Sequence, residues 1–92
     1  AAMWPSATGE VQSAEVKRTQ HGTFVVVIYR YYAQGEYRSG KYRRSFRRKA
    51  AAQAFAEAIR GRTIQVRFQQ DKPGESVLLE QDLQMTGMLQ MG

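Results

Sequence analysis

Residues 23–33 read Thr-Phe-Val-Val-Val-Ile-Tyr-Arg-Tyr-Tyr-Ala, and the next two are Gln34-Gly35. Such a density of β-branched and aromatic side chains fits a pleated strand, and the Gly after it marks a tight turn. Residues 36–44 then return as a partner strand. In a strand, side chains alternate between faces, so Phe24, Val26, Ile28, Arg30 and Tyr32 share one side, and Val25, Val27, Tyr29, Tyr31 and Ala33 the other. Both sides begin apolar, which calls for a strand covered on both faces or for a small barrel with an extra covered patch. Tyr37 and Tyr42 stand an odd number of residues apart and share a face only if a bulge intervenes, for which Gly40 is the natural place.

Around this hairpin the remaining elements fall into order. Residues 9–18 suggest a strand with an irregularity between Val11 and Val16, and His21-Gly22 is a turn. From Ser45 the period lengthens: Ala51, Phe55, Ala58, Ile59 and Arg62 share one helical face, predicting a helix over about 46–60, capped by Ser45 and ended by Gly61. Thr63–Gln69 alternates with Ile64, Val66 and Phe68 inward. Asp71-Lys72-Pro73-Gly74 has the type II turn pattern, and a short strand is expected over 76–80.

The order β-β-β-α-β-β predicts an α+β chain: a small antiparallel β-barrel or curved sheet, OB-like, closed by one helix. Its core is expected from Val26, Ile28, Phe55, Ile59, Ile64, Val66 and Phe68. With 92 residues there is room for one core, placed over residues 9–82, with an N-terminal extension at 1–8 and a flexible Met-rich tail at 83–92. Ala1-Ala2-Met3 lacks the basic and apolar regions of a signal peptide and reads as a cut point. No apolar run reaches the roughly 18–20 residues that span a bilayer.

Charge is distributed unevenly. Residues 36–62 hold nine basic side chains against Glu36 and Glu57, while residues 63–92 hold four acidic against two basic. Arg38, Lys41, Arg43, Arg44, Arg47, Arg48 and Lys49 are therefore candidates for meeting an anion, whether an anionic membrane surface, an acidic protein or nucleic acid. The plainer reading is a solvated face that keeps a small domain in solution. Arg47, Arg48 and Lys49 also fall in the first helical turn, where the macrodipole disfavours cations by roughly 0.3–1 kcal/mol each. That placement asks for a reason or a partner.

Catalytic chemistry is hard to assemble from these residues. There is no Cys, and the single His21 sits in a turn beside Gly22, so nucleophile–base pairs and specific transition-metal sites lack their parts. Asp71 and Glu75 flank the Pro-Gly turn, and Glu80 and Asp82 lie near the tail, all expected to be solvated. No glycine pattern has the strand-loop-helix context of a nucleotide loop. The expectation is a non-enzymatic module with no cofactor and no metal.

An OB-like barrel often binds single strands on its second and third strands, and here those carry Tyr29, Tyr31, Tyr32, Tyr37 and Tyr42 beside Arg30 and Arg38. Aromatic faces that stack bases and guanidiniums that meet phosphates are what such binding needs. Filling a small barrel needs the same aromatics, and packing is the first reading of these tyrosines. Single-stranded nucleic-acid binding is the alternative function.

Trp4-Pro5 with Gly9 and Val11, Tyr29-Arg30-Tyr31 with Gly35 and Tyr37, then Gly61 to Phe68 leading to Pro73 and Ser76-Val77-Leu78, resemble the largely bacterial domain-of-unknown-function family three-five-nine-two. The resemblance runs from Trp4 to about Leu79. It implies a small β-rich domain outside the bilayer, flanked in many members by hydrophobic segments, and no known activity. A further proline that the family often carries ahead of the one matched by Pro73 is absent, with Gln70 nearby. The function this implies is an interaction or structural module forming the extramembrane part of a membrane-associated protein.

Overall fold

The computed structural model describes residues 3–79 and Leu83. β1 spans Ser6–Thr19, β2 Gly22–Ala33, β3 Glu36–Phe46, α1 Lys49–Ile59, β4 Thr63–Phe68 and β5 Ser76–Val77. All pairings are antiparallel, in the sheet order β3-β2-β1-β4-β5. β1 is long enough to serve two partners: Ser6 to Glu10 pair with β4, and Gly9 to Thr19 pair with β2. The register slips between Val11 and Ser13. The Val11 amide there donates to the Arg62 carbonyl at 2.9 Å, and the Arg60 guanidinium donates twice to the Ala14 carbonyl, at 3.1 and 2.8 Å. A bulge bends its strand, and this one turns β1 where the sheet must curl.

The curl brings the two edge strands together. On β5 the Ser76 hydroxyl lies 2.7 Å from the Tyr29 hydroxyl, whose ring lies over Gly40 of β3. The result is a nearly closed barrel, with α1 laid against β1, β2 and β3.

The interior is lined by the face of β2 opposite to the one expected. Val25, Val27, Tyr29, Tyr31 and Ala33 are buried, with Tyr29 0% and Tyr31 1% exposed, whereas Val26 and Ile28 are only partly buried on the outer face. β4 supplies Ile64, Val66 and Phe68 to the core, and α1 supplies Ala52, Phe55, Ala56 and Ile59. The helix thus buries a stripe at spacings of three and four through Phe55 and Ile59, turned so that Ala52 and Ala56 face inward and Ala51 outward. Leu78 and Leu83 complete the core.

Three local expectations change. β3 runs in unbroken register with β2, so Gly40 is not a bulge; it sits opposite Tyr29, where any Cβ would collide with the phenol and lie 2.7 Å from the Ser76 hydroxyl. Tyr37 consequently faces outward and Tyr42 inward. Helix α1 starts at Lys49 rather than near 46, because β3 continues to Phe46; Arg48, not Ser45, occupies the N-cap, with no side-chain cap bond. Gly61, at φ 71°, follows the helix end as expected. The turn at 72–75 closes with the Glu75 amide on the Lys72 carbonyl at 2.8 Å, but Gly74 does not take the positive φ that type II requires. At the β2–β3 hairpin, Gln34 and Gly35 have φ of 51° and 82°, the handedness that suits a two-residue connection between twisted strands. Of the tail expected to be flexible over 83–92, Leu83 is buried in the core, its amide donating to the Leu79 carbonyl at 3.1 Å; Glu80, Asp82 and residues 84–92 lie outside the described residues.

Candidate functional site

Antiparallel pairing assembles a basic end on this barrel from distant parts of the chain. The register places Arg18 of β1, Thr23 of β2 and Phe46 of β3 in one row, with Lys17, Phe24 and Ser45 in the next. Arg47, Arg48 and Lys49 follow immediately after Phe46, beyond the first of these rows, and all three are exposed, as are Lys17, Arg18, Lys41 and Arg43. The turn at Gln20-His21 and the start of α1 therefore share one end of the barrel, and that end is positive. Lys17 and Arg18 were not among the residues singled out from the sequence. Only the pairing of β1 with β2 brings them to the 43–49 segment; the strand assignment around His21-Gly22 held that signal.

Two of the arginines are held in place by rings. The Arg43 guanidinium lies 3.7 Å from the centre of the Phe24 ring, and that of Arg44 lies 5.2 Å from both Phe46 and Phe55. A guanidinium stacked by its flat face keeps its N–H donors at the rim, oriented and open to a carboxylate or phosphate oxygen. At the helix start, Arg48 has extended backbone (φ −118°, ψ 138°), and the first turn holds no acidic side chain. The unfilled amide groups of that turn and the cations around them all favour an anion.

The other basic candidates lie elsewhere. Arg38 is at the opposite end, donating to the Ala33 carbonyl at 3.2 Å and paired with Glu36 at 2.9 Å, so it braces the hairpin. Lys41 sits midway on the outer face. Around the Arg38 end are the exposed Glu36, Asp71 and Glu75, drawn to the hairpin through Gln34 donating to the Gln70 carbonyl at 2.9 Å and Tyr31 to the Pro73 carbonyl at 2.6 Å. Charge is separated along the strand direction.

The tyrosines divide three ways. Tyr29 and Tyr31 are inside the barrel, their rings 6.0 Å apart and their hydroxyls spent on Ser76 and Pro73. Rings so enclosed cannot stack on a base arriving from solvent, so these two are struck from the candidate stacking platform. Tyr42 is half-buried and faces inward. Tyr32 and Tyr37 are 48% and 69% exposed and meet edge to face at 5.0 Å, with Arg30 4.3 Å over the Tyr37 ring. They border a groove of about 430 Å³ that also takes in Thr8, Glu10 and Gln12. Burial raises the Tyr29 phenol above its ordinary value; the Ser76 hydrogen bond pulls it down and Tyr31 adds to the rise.

Among the described residues no group of three or more His, Asp or Glu side chains is placed to hold a metal ion, and no helix is long and apolar enough to cross a membrane. No curated protein and no solved structure matches the chain. One family model does match, over residues 7–82: it is described as Domain of unknown function (DUF3592), and with that span the chain belongs to this family.

Proposed function

We propose that this domain is a non-catalytic interaction module, the extramembrane part of a membrane-associated bacterial protein, and that its basic end meets an anionic lipid surface. The observation that supports this reading is the convergence of Lys17 and Arg18 with Arg43, Arg44, Arg47, Arg48 and Lys49 at one end of the barrel. Clustered cations within a Debye length of an anionic leaflet contribute roughly 1 kcal/mol each. A flat charged surface suits this end, because the cations stand on a turn, a strand end and a helix start and not around a cavity.

The membrane context comes from the family resemblance, since many members carry hydrophobic segments beside such a domain. The non-catalytic reading is supported by how the polar groups are used: the Tyr29 and Tyr31 hydroxyls close the barrel, and Arg38 and Arg60 brace backbone carbonyls.

Co-sedimentation with vesicles of phosphatidylcholine alone, and of phosphatidylcholine mixed with phosphatidylserine, tests the proposal. Binding is expected only to the mixed vesicles and is expected to weaken as salt rises. Equal partition to both kinds of vesicle, or to neither, would count against it.

A further inference from the structure

The outer face of β1, β2 and β3 has a pattern the basic end does not explain. Along its middle run Phe24, Val26 and Ile28, each partly exposed. On one flank β1 carries Glu10 and Glu15, with Lys17 after them in the Phe24 row; on the other β3 carries Lys41 and Arg43. The register sets Glu15, Val26 and Arg43 in one row, and Glu10, Arg30 and Ser39 in another. The Val26 row, with acid on one side and base on the other, is complementary to itself.

Geometry selects how two such strips can meet. If one copy is turned by a two-fold axis running along β2, the partner's β3 lies over β1 and every row keeps its height. Glu15 then faces the partner's Arg43 while the two Val26 side chains meet on the axis. A two-fold running across the strands would instead set β1 over β1 and β3 over β3, bringing the Lys41 and Arg43 cations of the two copies together. The charge pattern therefore accepts the first arrangement and opposes the second.

Arg30, on the axis strand, would face its own copy if it stood upright. It does not: its guanidinium is drawn over the Tyr37 ring on the β3 side, off the axis and toward the row of Tyr32 and Tyr37. Packed sheets lie about 10 Å apart with strands within about 30° of one another. At one strand spacing from the axis, a rotation of that size moves a side chain by only about 2.5 Å, within the reach of Arg and Glu. The contact between Glu15 and Lys17 at 3.7 Å joins two exposed side chains and leaves the carboxylate free to turn.

We infer that this face is a self-association surface: two copies pack through Val26 and Ile28 about a two-fold axis parallel to the strands, each Glu15 opposite the partner's Arg43, which lies over its own Phe24. The patch covers three strands, so the dimer is weak and forms in a concentration-dependent way.

Sedimentation equilibrium of the folded chain from low micromolar to near-millimolar concentration tests the inference. The wild type is expected to shift from monomer to dimer, and Glu15→Arg or Arg43→Glu alone to weaken association by about tenfold or more. Mixing the two variants restores complementary pairs at both positions, so the mixture is expected to associate where each variant alone does not. Should Arg43→Glu disturb the fold by uncovering Phe24, as read by circular dichroism, Val26→Lys, which sets two cations against each other on the axis, is expected to abolish association in its place. A wild type that stays monomeric across the range overturns the inference. So does a dimer indifferent to the single changes, or a mixture that fails to associate.

Discussion

At the scale of single residues, the barrel seam is held by Tyr29, Gly40 and Ser76. The sequence identified β2 and the alternation of its side chains, but left its two faces equally apolar. The choice between them depends on partners for two phenol hydroxyls, and these come from Ser76 and the Pro73 carbonyl, 47 and 42 residues away. A buried hydroxyl without a partner costs about 1–3 kcal/mol, so the tyrosines go where the last turn and strand can satisfy them. Nothing local in residues 23–33 records that. Gly40 follows the same logic: its lack of a side chain was visible, and its reason, the Tyr29 ring, was not. Gly40→Ala should destabilise the fold by about 1–3 kcal/mol, read as a lower urea midpoint at unchanged slope. Tyr29→Phe should cost about 0.5–1.5 kcal/mol at neutral pH. It should also flatten the alkaline response. The folded phenol has a raised pKa and stays protonated where the unfolded one ionises. The stability this contributes is complete below pH ~10 and is lost as pH rises through the folded value. Urea melts at pH 8 and above 10 should therefore diverge more in the wild type than in Tyr29→Phe.

At the scale of elements, the strands β1 to β4 and the helix were legible because their periods differ and Gly or Pro separates them. Their ends were less so. Ser45 is a good cap by type, yet β3 pairs on to Phe46 opposite Thr23, and ladder hydrogen bonds outweigh a cap of about 1 kcal/mol. The helix therefore begins on Arg48, a residue that cannot accept from the first-turn amides. That makes a trade-off measurable. Arg48→Asp supplies a cap oxygen and a negative charge at the positive helix end, and should stabilise the domain by about 1 kcal/mol, raising its melting temperature. The same change should weaken binding to phosphatidylserine-containing vesicles. A variant that neither gains stability nor loses binding would mean that the helix start neither lacks a cap nor engages the surface.

At the scale of the whole molecule, the features combine into a polar object with a direction. Nine basic side chains between 36 and 62 were plain in the sequence, but their division was not: Arg38 braces the far hairpin, and Lys17 and Arg18 join the basic end from another strand. Only the sheet register distributes charge in this way. A two-fold axis along the strands keeps both basic ends on the same side, so a dimer, with Arg43 committed to Glu15, would present the Arg18, Arg47, Arg48 and Lys49 clusters of both copies to one surface and bind it more tightly than a single copy. The central claim is that binding depends on where the positive charge lies and not on its total. The direct measurement is the partition onto phosphatidylserine-containing vesicles of a variant with unchanged net charge. It combines Arg47→Gln, Arg48→Gln and Lys49→Gln with Ser39→Lys, Gln65→Lys and Gln70→Lys, all at exposed positions. The account predicts that this variant binds far more weakly than the wild type. Binding equal to that of the wild type would contradict it.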